Sequence, residues 1–307
     1  MNLIKISLGL SIALLFSLFA CKSAEKIVSE EIVKVPEAKS LIWKISGKEL
    51  TTPSYLFGTI HIIDGDDFFL PKGTLSAFDV SDKIVFEIDM ADMNDPMKLM
   101  PMMQKAFMAG DTTLEDLLTV DEYAMVKEHF SKMGLPIFFL ERIKPMFLTV
   151  FATGDFDPED LKSGKVKSYE MEFAAMAEDA SKETAGLETI EYQIGIFDAV
   201  PYSDQAAMLL DAINSSDTEG DQFQELVDMY KQQDIEGLYN MMKGDETVAA
   251  YEDALLINRN KNWIPQMSTM MSVGPTFFAV GAGHLGGPMG VVNLLREEGY
   301  AVVPYKG

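Results

Sequence analysis

Apolar positions in this chain follow two rhythms. Ser54 to Ile63 is a run of apolar and β-branched residues around Gly58, which predicts a buried strand. Lys83 to Asp89 predicts a second strand, with Phe86 and Ile88 on one side and Val85, Glu87 and Asp89 on the other. Thr276 to Val280 and Ala301 to Pro304 read as two more strands near the far end of the chain. Between these pairs the apolar spacing becomes helical. Thr113 to Met133 is a helical region in which Thr119 and Glu122 have capping-box spacing. Helices are expected at Glu170 to Ala180, Glu188 to Phe197, Ser203 to Ser215 and Gln222 to Lys231. Another is expected over Glu246 to Met271, with a break near Pro265. Pro288 fits the first turn of a helix that ends before Gly299. Met90 to Ala109, interrupted by Pro96 and Pro101, reads as broken helix. Leu135 to Thr153 is very apolar but holds Glu141, Arg142, Lys144 and Pro145, so a buried or groove-lining helix pair is expected rather than a membrane span. The fold class is therefore α/β (α+β): one central sheet built from strands near both chain ends, capped by a helical insert.

The beginning of the chain has a different character. Lys5 precedes an apolar run from Ile6 to Ala20, too short for a comfortable span and ending at small residues, as an export signal does. Leu18-Phe19-Ala20-Cys21 resembles a bacterial lipobox, and Cys21 is the single cysteine in the chain. Residues 1–20 are expected to be a lipoprotein signal peptide, 21–39 a polar tether and 40–307 a single folded domain. Acyl chains on Cys21 would hold the protein at the membrane of the bacterial cell envelope, outside the cytoplasm.

Composition removes several function classes. With 48 acidic against 25 basic residues in 307, the formal charge is −23, which argues against nucleic acid as a partner. One cysteine excludes an internal disulfide framework and a cysteine-rich zinc module. No G-x-S-x-G elbow or P-loop is present, and the glycines Gly281, Gly283 and Gly286 are not read as a dinucleotide fingerprint because His284 occupies their interior, which argues against a serine hydrolase or a nucleotide enzyme.

The histidines carry the candidate chemistry. Gly58-Thr-Ile-His61 and Gly281-Ala-Gly-His284 share the spacing G-x-x-H, and each follows a strand-like run. Glycine allows close backbone approach, and a histidine at a strand end can face the crevice where open α/β sheets bind ligands. Glu87 sits near the end of another strand, and an acid between Phe86 and Ile88 needs a partner if buried. Two imidazoles and a carboxylate suit a divalent ion for hydrolysis, whereas hydrogen-bonded core histidines are the plain alternative. His129, in a charged helix, reads as a solvated surface residue. The seven methionines between Met90 and Met108 read as core or groove packing rather than a Cu(I) site. Asp64 to Asp67 and Asp155 to Asp160 lack EF-hand spacing and read as solvated loops.

These motifs occur in an ordered set. Tyr55-Leu-Phe-Gly-Thr-Ile-His61, Leu70-Pro71, Val85-Phe-Glu-Ile-Asp89, Ser168-Tyr-Glu170, Lys182, Gly186-Leu-Glu-Thr189, Gln193, Arg259-Asn260 and Val280 to Gly290 together resemble the TraB/GumN family, which includes the TIKI proteins. The resemblance runs from about Leu41 to Tyr305 and is that of a GumN-type bacterial lipoprotein. It implies a fold related to the erythromycin-esterase and ChaN-like group. It also implies metal-dependent peptide hydrolysis supported by manganese or cobalt, with zinc a further candidate for such donors. Carried onto this sequence, it selects Gly58, His61, Glu87, Gly281 and His284, with Arg259 as electrostatic partner. On that basis His61, His284 and Glu87 would gather the ion, or Glu87 would act as general base. Arg259 would steady a developing oxyanion, and Glu170 would be an additional ligand, a supporting residue or an ordinary helix residue. The expected partners are a peptide or protein substrate and, through Cys21, a membrane. A non-catalytic lipoprotein that binds a peptide or signal molecule, or carries metal or haem, is the alternative use of the same crevice.

Overall fold

Four parallel strands form the centre of the protein. In chain order the strands are β1 Ile42–Gly47, β2 Ser54–Thr59, β3 Ile63–Asp64, β4 Lys83–Ile88, β5 Val166–Lys167, β6 Glu183–Glu188, β7 Thr276–Gly281 and β8 Tyr300–Pro304. The computed structural model describes residues 39–152, 158–216, 220–244 and 249–307. The signal segment, Cys21, almost all of the tether and Asp155 to Asp157 lie outside the described residues.

The main sheet runs β6-β4-β7-β2-β1-β8, with β3 and β5 forming a separate two-stranded ladder. The strands β6, β4, β7 and β2 are mutually parallel, and β1 and β8 extend the sheet antiparallel. The mixed α/β class and the assembly of one sheet from both chain ends thus follow the reading of the sequence. Two strands of the main sheet depart from it, and β5 of the small ladder is a third. β1 lay in a stretch not assigned to a strand, and β6 lies partly where a helix from Glu188 was expected; the helix there is Ile190–Ile196.

Alternation along the central strands divides the core. Phe57 and Phe277 face the helices Thr74–Val80 and Tyr169–Asp179, where Phe57 meets Phe173 edge-on at 5.1 Å and Phe277 meets Phe173 at 5.1 Å. Glu87 points to the other face, where Arg259 of the helix Asn258–Val273 reaches it. A smaller apolar cluster of Leu114, Val126, Phe130, Leu148, Leu209 and Ile213 holds the helical cap together.

The cap corrects several expectations. Thr119 caps its helix through Glu122 as predicted, and Thr113 forms a second capping box with Asp116. Only Pro145–Ala152 of the apolar stretch 135–153 is a packed helix. Its first half is a short turn, Ile137–Phe139, with Phe138 and Phe139 81% and 69% exposed. His129 is half-buried rather than solvated, and its Nε2 has no hydrogen-bond partner among the described residues. Met97, Met100 and Met103 lie on the outside of the helix Pro96–Lys105, not in a core. The helix Asn258–Val273 continues through Pro265, and the irregular turn comes earlier, as a π-helical segment at Asp253–Ile257. Pro288 precedes the helix Val291–Glu297 instead of opening it. Among the described residues, no helix is long and apolar enough to cross a membrane.

The register matters most for the site. Gly58 lies beside Val280 and Thr59 beside Gly281. The two G-x-x-H segments are therefore neighbours, but offset by one residue, so equivalent positions sit on opposite pleats. A Cβ on Gly58 would lie 3.0 Å from Leu285 Cδ2 and 3.1 Å from the Cα and Cβ of Ala282. That glycine lets the turn carrying His284 pack directly on β2. Replacing Gly58 by Val should cost about 1–3 kcal/mol through overpacking, read as a lowered urea midpoint. An unchanged midpoint would show that the turn yields freely.

Candidate functional site

The polar groups gather at the carboxyl ends of the four parallel strands. β4 supplies Glu87, β6 ends on Glu188, β7 leads into the turn Ala282–His284, and β2 leads to His61. The helix Asn258–Val273 brings Arg259, Asn260 and Trp263 onto this edge.

Arg259 lies at the centre of a buried network. Its Nε donates to Glu188 Oε1 and Oε2 at 3.0 and 3.1 Å. One terminal nitrogen donates to Leu255 O at 3.3 Å and to His284 Nε2 at 3.1 Å. The other donates to Glu87 Oε2 at 2.6 Å and Glu188 Oε2 at 2.9 Å. A guanidinium has five N–H donors, and all are committed here. None is left for an oxyanion, so Arg259 holds the site together from within, a different place from the one its sequence role implied. Trp263 stacks near the guanidinium, 5.1 Å from ring centroid to Cζ, and donates Nε1–H to Glu188 Oε1 at 2.9 Å.

The network also fixes the protonation of His284. Asn260 Nδ2 donates to the carbonyls of Met289, at 2.9 Å, and His284, at 3.4 Å, so Asn260 Oδ1 is an acceptor. His284 Nδ1 lies 2.6 Å from that oxygen and therefore carries the hydrogen. Its Nε2 is the lone-pair nitrogen that accepts from Arg259. Burial, with Arg259 alongside, pushes this imidazole down to about 3, and it is neutral at pH 7. Glu87 accepts from Gly281 N–H at 2.8 Å and Gln193 Nε2 at 3.1 Å. Burial opposes its charge, but the neighbouring imidazoles, Arg259 and the Gly281 amide outweigh burial and hold the carboxyl at about 2. Glycine eases this contact, because a Cβ at position 281 would stand 3.2 Å from Glu87 Oε1 and push the carboxylate back by a few tenths of an ångström.

His61 belongs to a different environment. Its side chain is 74% exposed, and its Nδ1 lies 3.2 Å from Glu170 Oε1. Glu170, only 15% exposed at the start of the helix Tyr169–Asp179, also accepts from Thr59 Oγ1 at 2.7 Å and Ser168 Oγ at 3.0 Å. An ionised carboxylate only accepts, so the imidazole donates through Nδ1, and Nε2 is the nitrogen this bond does not use. The Glu170 hydrogen bond raises His61 above its ordinary value, and the ring's exposure lets water temper the rise.

The expected trio is close enough to interact through charge, but its members bond to different partners. Glu87 and His284 meet, 3.9 Å apart, while His61 pairs with Glu170. Among the described residues no three His, Cys, Asp or Glu side chains converge as metal ligands. The reason is visible in the bonding: a divalent ion needs the lone pairs of Glu87, Glu188 and His284 that the Arg259 cation already takes. The residues as arranged do not fit the ion that the sequence resemblance implied. Glu188 is the site residue that the sequence reading placed on a helix and gave no role. Its signal was the Gly186-Leu-Glu-Thr189 block itself.

A cleft of about 560 Å³ is lined by residues next in sequence to the network and not by the network residues themselves. Lys105, Thr189, Glu191, Tyr192, Ala254 and Asn258 are among its walls. Thr189 follows Glu188 and Asn258 precedes Arg259, so cleft and network share two chain segments.

Comparison with known proteins places these features in context. Residues 41–304 match the model of the TraB/PrgY/gumN family. Metalloprotease TIKI2 of Danio rerio is 21% identical, over 92% of this chain and 63% of its own length. Metalloprotease TIKI1 of Homo sapiens is 23% identical over 87% of this chain and 62% of its own. The Metalloprotease TIKI homolog of Nematostella vectensis is 21% identical over 86% of this chain and 66% of its own. The chain spans under two thirds of the length of these relatives. No solved structure matches it.

The pH dependence of stability follows from the buried groups. Glu87 is depressed from 4.5, so its contribution is present above that value and fades as pH falls toward 2. His284 is depressed from 6.5 to about 3, so in that interval the unfolded chain binds the extra proton and acid destabilises the fold. Acidification from pH 6.5 to 3 should therefore lower the melting temperature, with a loss on the order of a few kcal/mol. In His284→Gln the part between pH 6.5 and 4.5 should flatten. An unflattened melting profile in that variant would remove His284 from the account.

Proposed function

The chain belongs to the TraB/PrgY/gumN family, and we propose that it is a peptide hydrolase held at the bacterial cell envelope by a lipid on Cys21. The observation that carries this reading is the pairing of exposed His61 with the half-buried Glu170 carboxylate at the end of β2. The printed names of the relatives, metalloproteases, support a peptide or protein substrate. The lipobox-like residues before Cys21 support the anchor.

The chemistry proposed is general-base hydrolysis. Glu170 holds the Nδ1–H tautomer, leaving Nε2 of His61 to take a proton from water. The water oxygen bonds to the carbonyl carbon as that proton moves to Nε2. The carbon–nitrogen bond then breaks, and the same proton passes to the departing amine. Glu87, Glu188 and His284 are committed to Arg259, so proton handling in this reading rests on His61 and Glu170. The cleft beside Thr189 and Asn258 would receive the peptide. The helix Pro96–Lys105 packs on the cleft wall Ile190–Ile196 and exposes Met97, Met100 and Met103, whose flexible thioethers suit varied apolar side chains.

Two measurements test this. His61→Ala and Glu170→Gln should lower kcat/KM on a cleaved library peptide by roughly 10²–10⁴-fold while peptide binding persists. Full activity in His61→Ala would sink the assignment, and binding without turnover in the unaltered chain would favour the non-catalytic alternative. A base works only when neutral, and Glu170 raises His61 above 6.5. So kcat/KM should climb as pH rises through that raised value. In Glu170→Gln, with the negative neighbour gone, the residual activity should climb at lower pH.

A further inference from the structure

We propose that the short β3–β5 ladder is a clip that positions the His61–Glu170 pair, and that Gly65 is the positioning residue that lets the clip close. The geometry stands by itself; its consequence for turnover rests on His61 as the general base.

An exposed ring takes no orientation from packing. The His61 side chain is 74% exposed, so its place is set by the backbone on either side. Ile60, His61 and Ile62 span from the end of β2 at Thr59 to the start of β3 at Ile63. Both ends of that span are tied to the same distant segment. At the near end Thr59 Oγ1 donates to Glu170 Oε1 at 2.7 Å. At the far end Ile63 pairs with Lys167 and Asp64 with Val166, and Gly65 N–H donates to Lys165 O at 2.7 Å. Ile63 is fully buried, which fastens the ladder to the core. Beyond Lys167, Ser168 caps the helix that carries Glu170, and its hydroxyl donates to Glu170 Oε2 at 3.0 Å. Contact continues past the ladder, where the Tyr169 hydroxyl donates to the Phe69 carbonyl at 2.7 Å. His61 lies two residues before β3 and Glu170 three after β5, so one ladder holds both members of the pair.

Closure depends on position 65. A Cβ there would stand 2.2 Å from Gly164 O and 3.1 Å from Lys165 O. Both are backbone atoms, so no rotamer change relieves the clash, and the two segments must part. Gly65 does not have a positive φ, so the requirement is for space rather than for an unusual conformation. With the ladder open, the tie beyond His61 is lost and the ring is free to turn from Glu170.

The experiment reads the ring itself. The full chain, labelled with ¹⁵N in its three histidines, is purified in detergent and followed by NMR at a pH where His61 is neutral. His61→Gln assigns the signals. Which nitrogen carries the hydrogen is set by the bonds the ring makes. The unaltered chain should show His61 as Nδ1–H; any other form overturns the pair, and with it the clip and the hydrolytic reading together. In Gly65→Ala the His61 signals should move to the mixture of an unbonded ring, while His284 keeps Nδ1–H. A His61 that stays Nδ1–H in this variant overturns the clip and leaves the pair standing. A change that spreads to His284 is general damage and also overturns it. Val166→Pro opens the ladder from its other strand and should act alike. If neither variant folds, the ladder is a requirement of the fold and not a positioning device, and the proposal falls. On a cleaved library peptide, Gly65→Ala should lower kcat/KM by roughly 10²-fold. It should add little to the loss in Glu170→Gln, because both act through one pair. Losses that multiply independently would count against the clip.

Discussion

The carboxyl edge of the sheet is organised around one buried cation. Arg259 arrives on a helix, yet it bonds groups from β4, from β6 and from the turn after β7. Each of those groups would be costly in this place alone. Glu87 and Glu188 would carry unpaired charge out of water, and His284 would hold a lone pair against an apolar wall. Together they are satisfied, and the ends of three strands are locked at a common level. The glycines of the site serve the same arrangement. Gly281 lets its own N–H approach Glu87, and Gly58 lets the His284 turn settle on β2.

Part of this was legible in the sequence, because a polar residue in an apolar strand is conspicuous. Glu87 stands out between Phe86 and Ile88, and the two G-x-x-H segments mark the ends of β2 and β7. Arg259 has no such local signal. It lies on a helix like many other arginines, and only the family resemblance singled it out. Glu188 was hidden by the chain around it. Glu183 to Glu188 has one large apolar residue, Leu187, and little β-branching, while Thr189 is an evident helix cap. Its strand conformation comes from pairing with β4, a tertiary preference that the local sequence does not express. The pairing of His61 with Glu170 was hidden for a related reason. The motif repeat suggested two equivalent histidines, but the one-residue offset between β2 and β7 sends them to different partners.

The two halves of the site differ in what they can do when charge moves. In the buried half every N–H of Arg259 is taken, so the cluster acts through position. In the exposed half, His61 bonds Glu170 through Nδ1 and its side chain is open to solvent. The halves are joined by a short run of bonds. Glu87 holds Gly281, Gly281 lies beside Thr59 in the ladder, and Thr59 donates to the same Glu170 oxygen that His61 meets. A displacement of Glu87 would shift the end of β7 against the end of β2, and with it the carboxylate that sets the imidazole's tautomer. For the hydrolysis proposed, preorganisation of that kind would cost nothing at the moment of reaction, because the dipoles are already in place. The buried, fully bonded network around Arg259 is thus the support beside which a solvent-exposed histidine takes its partner.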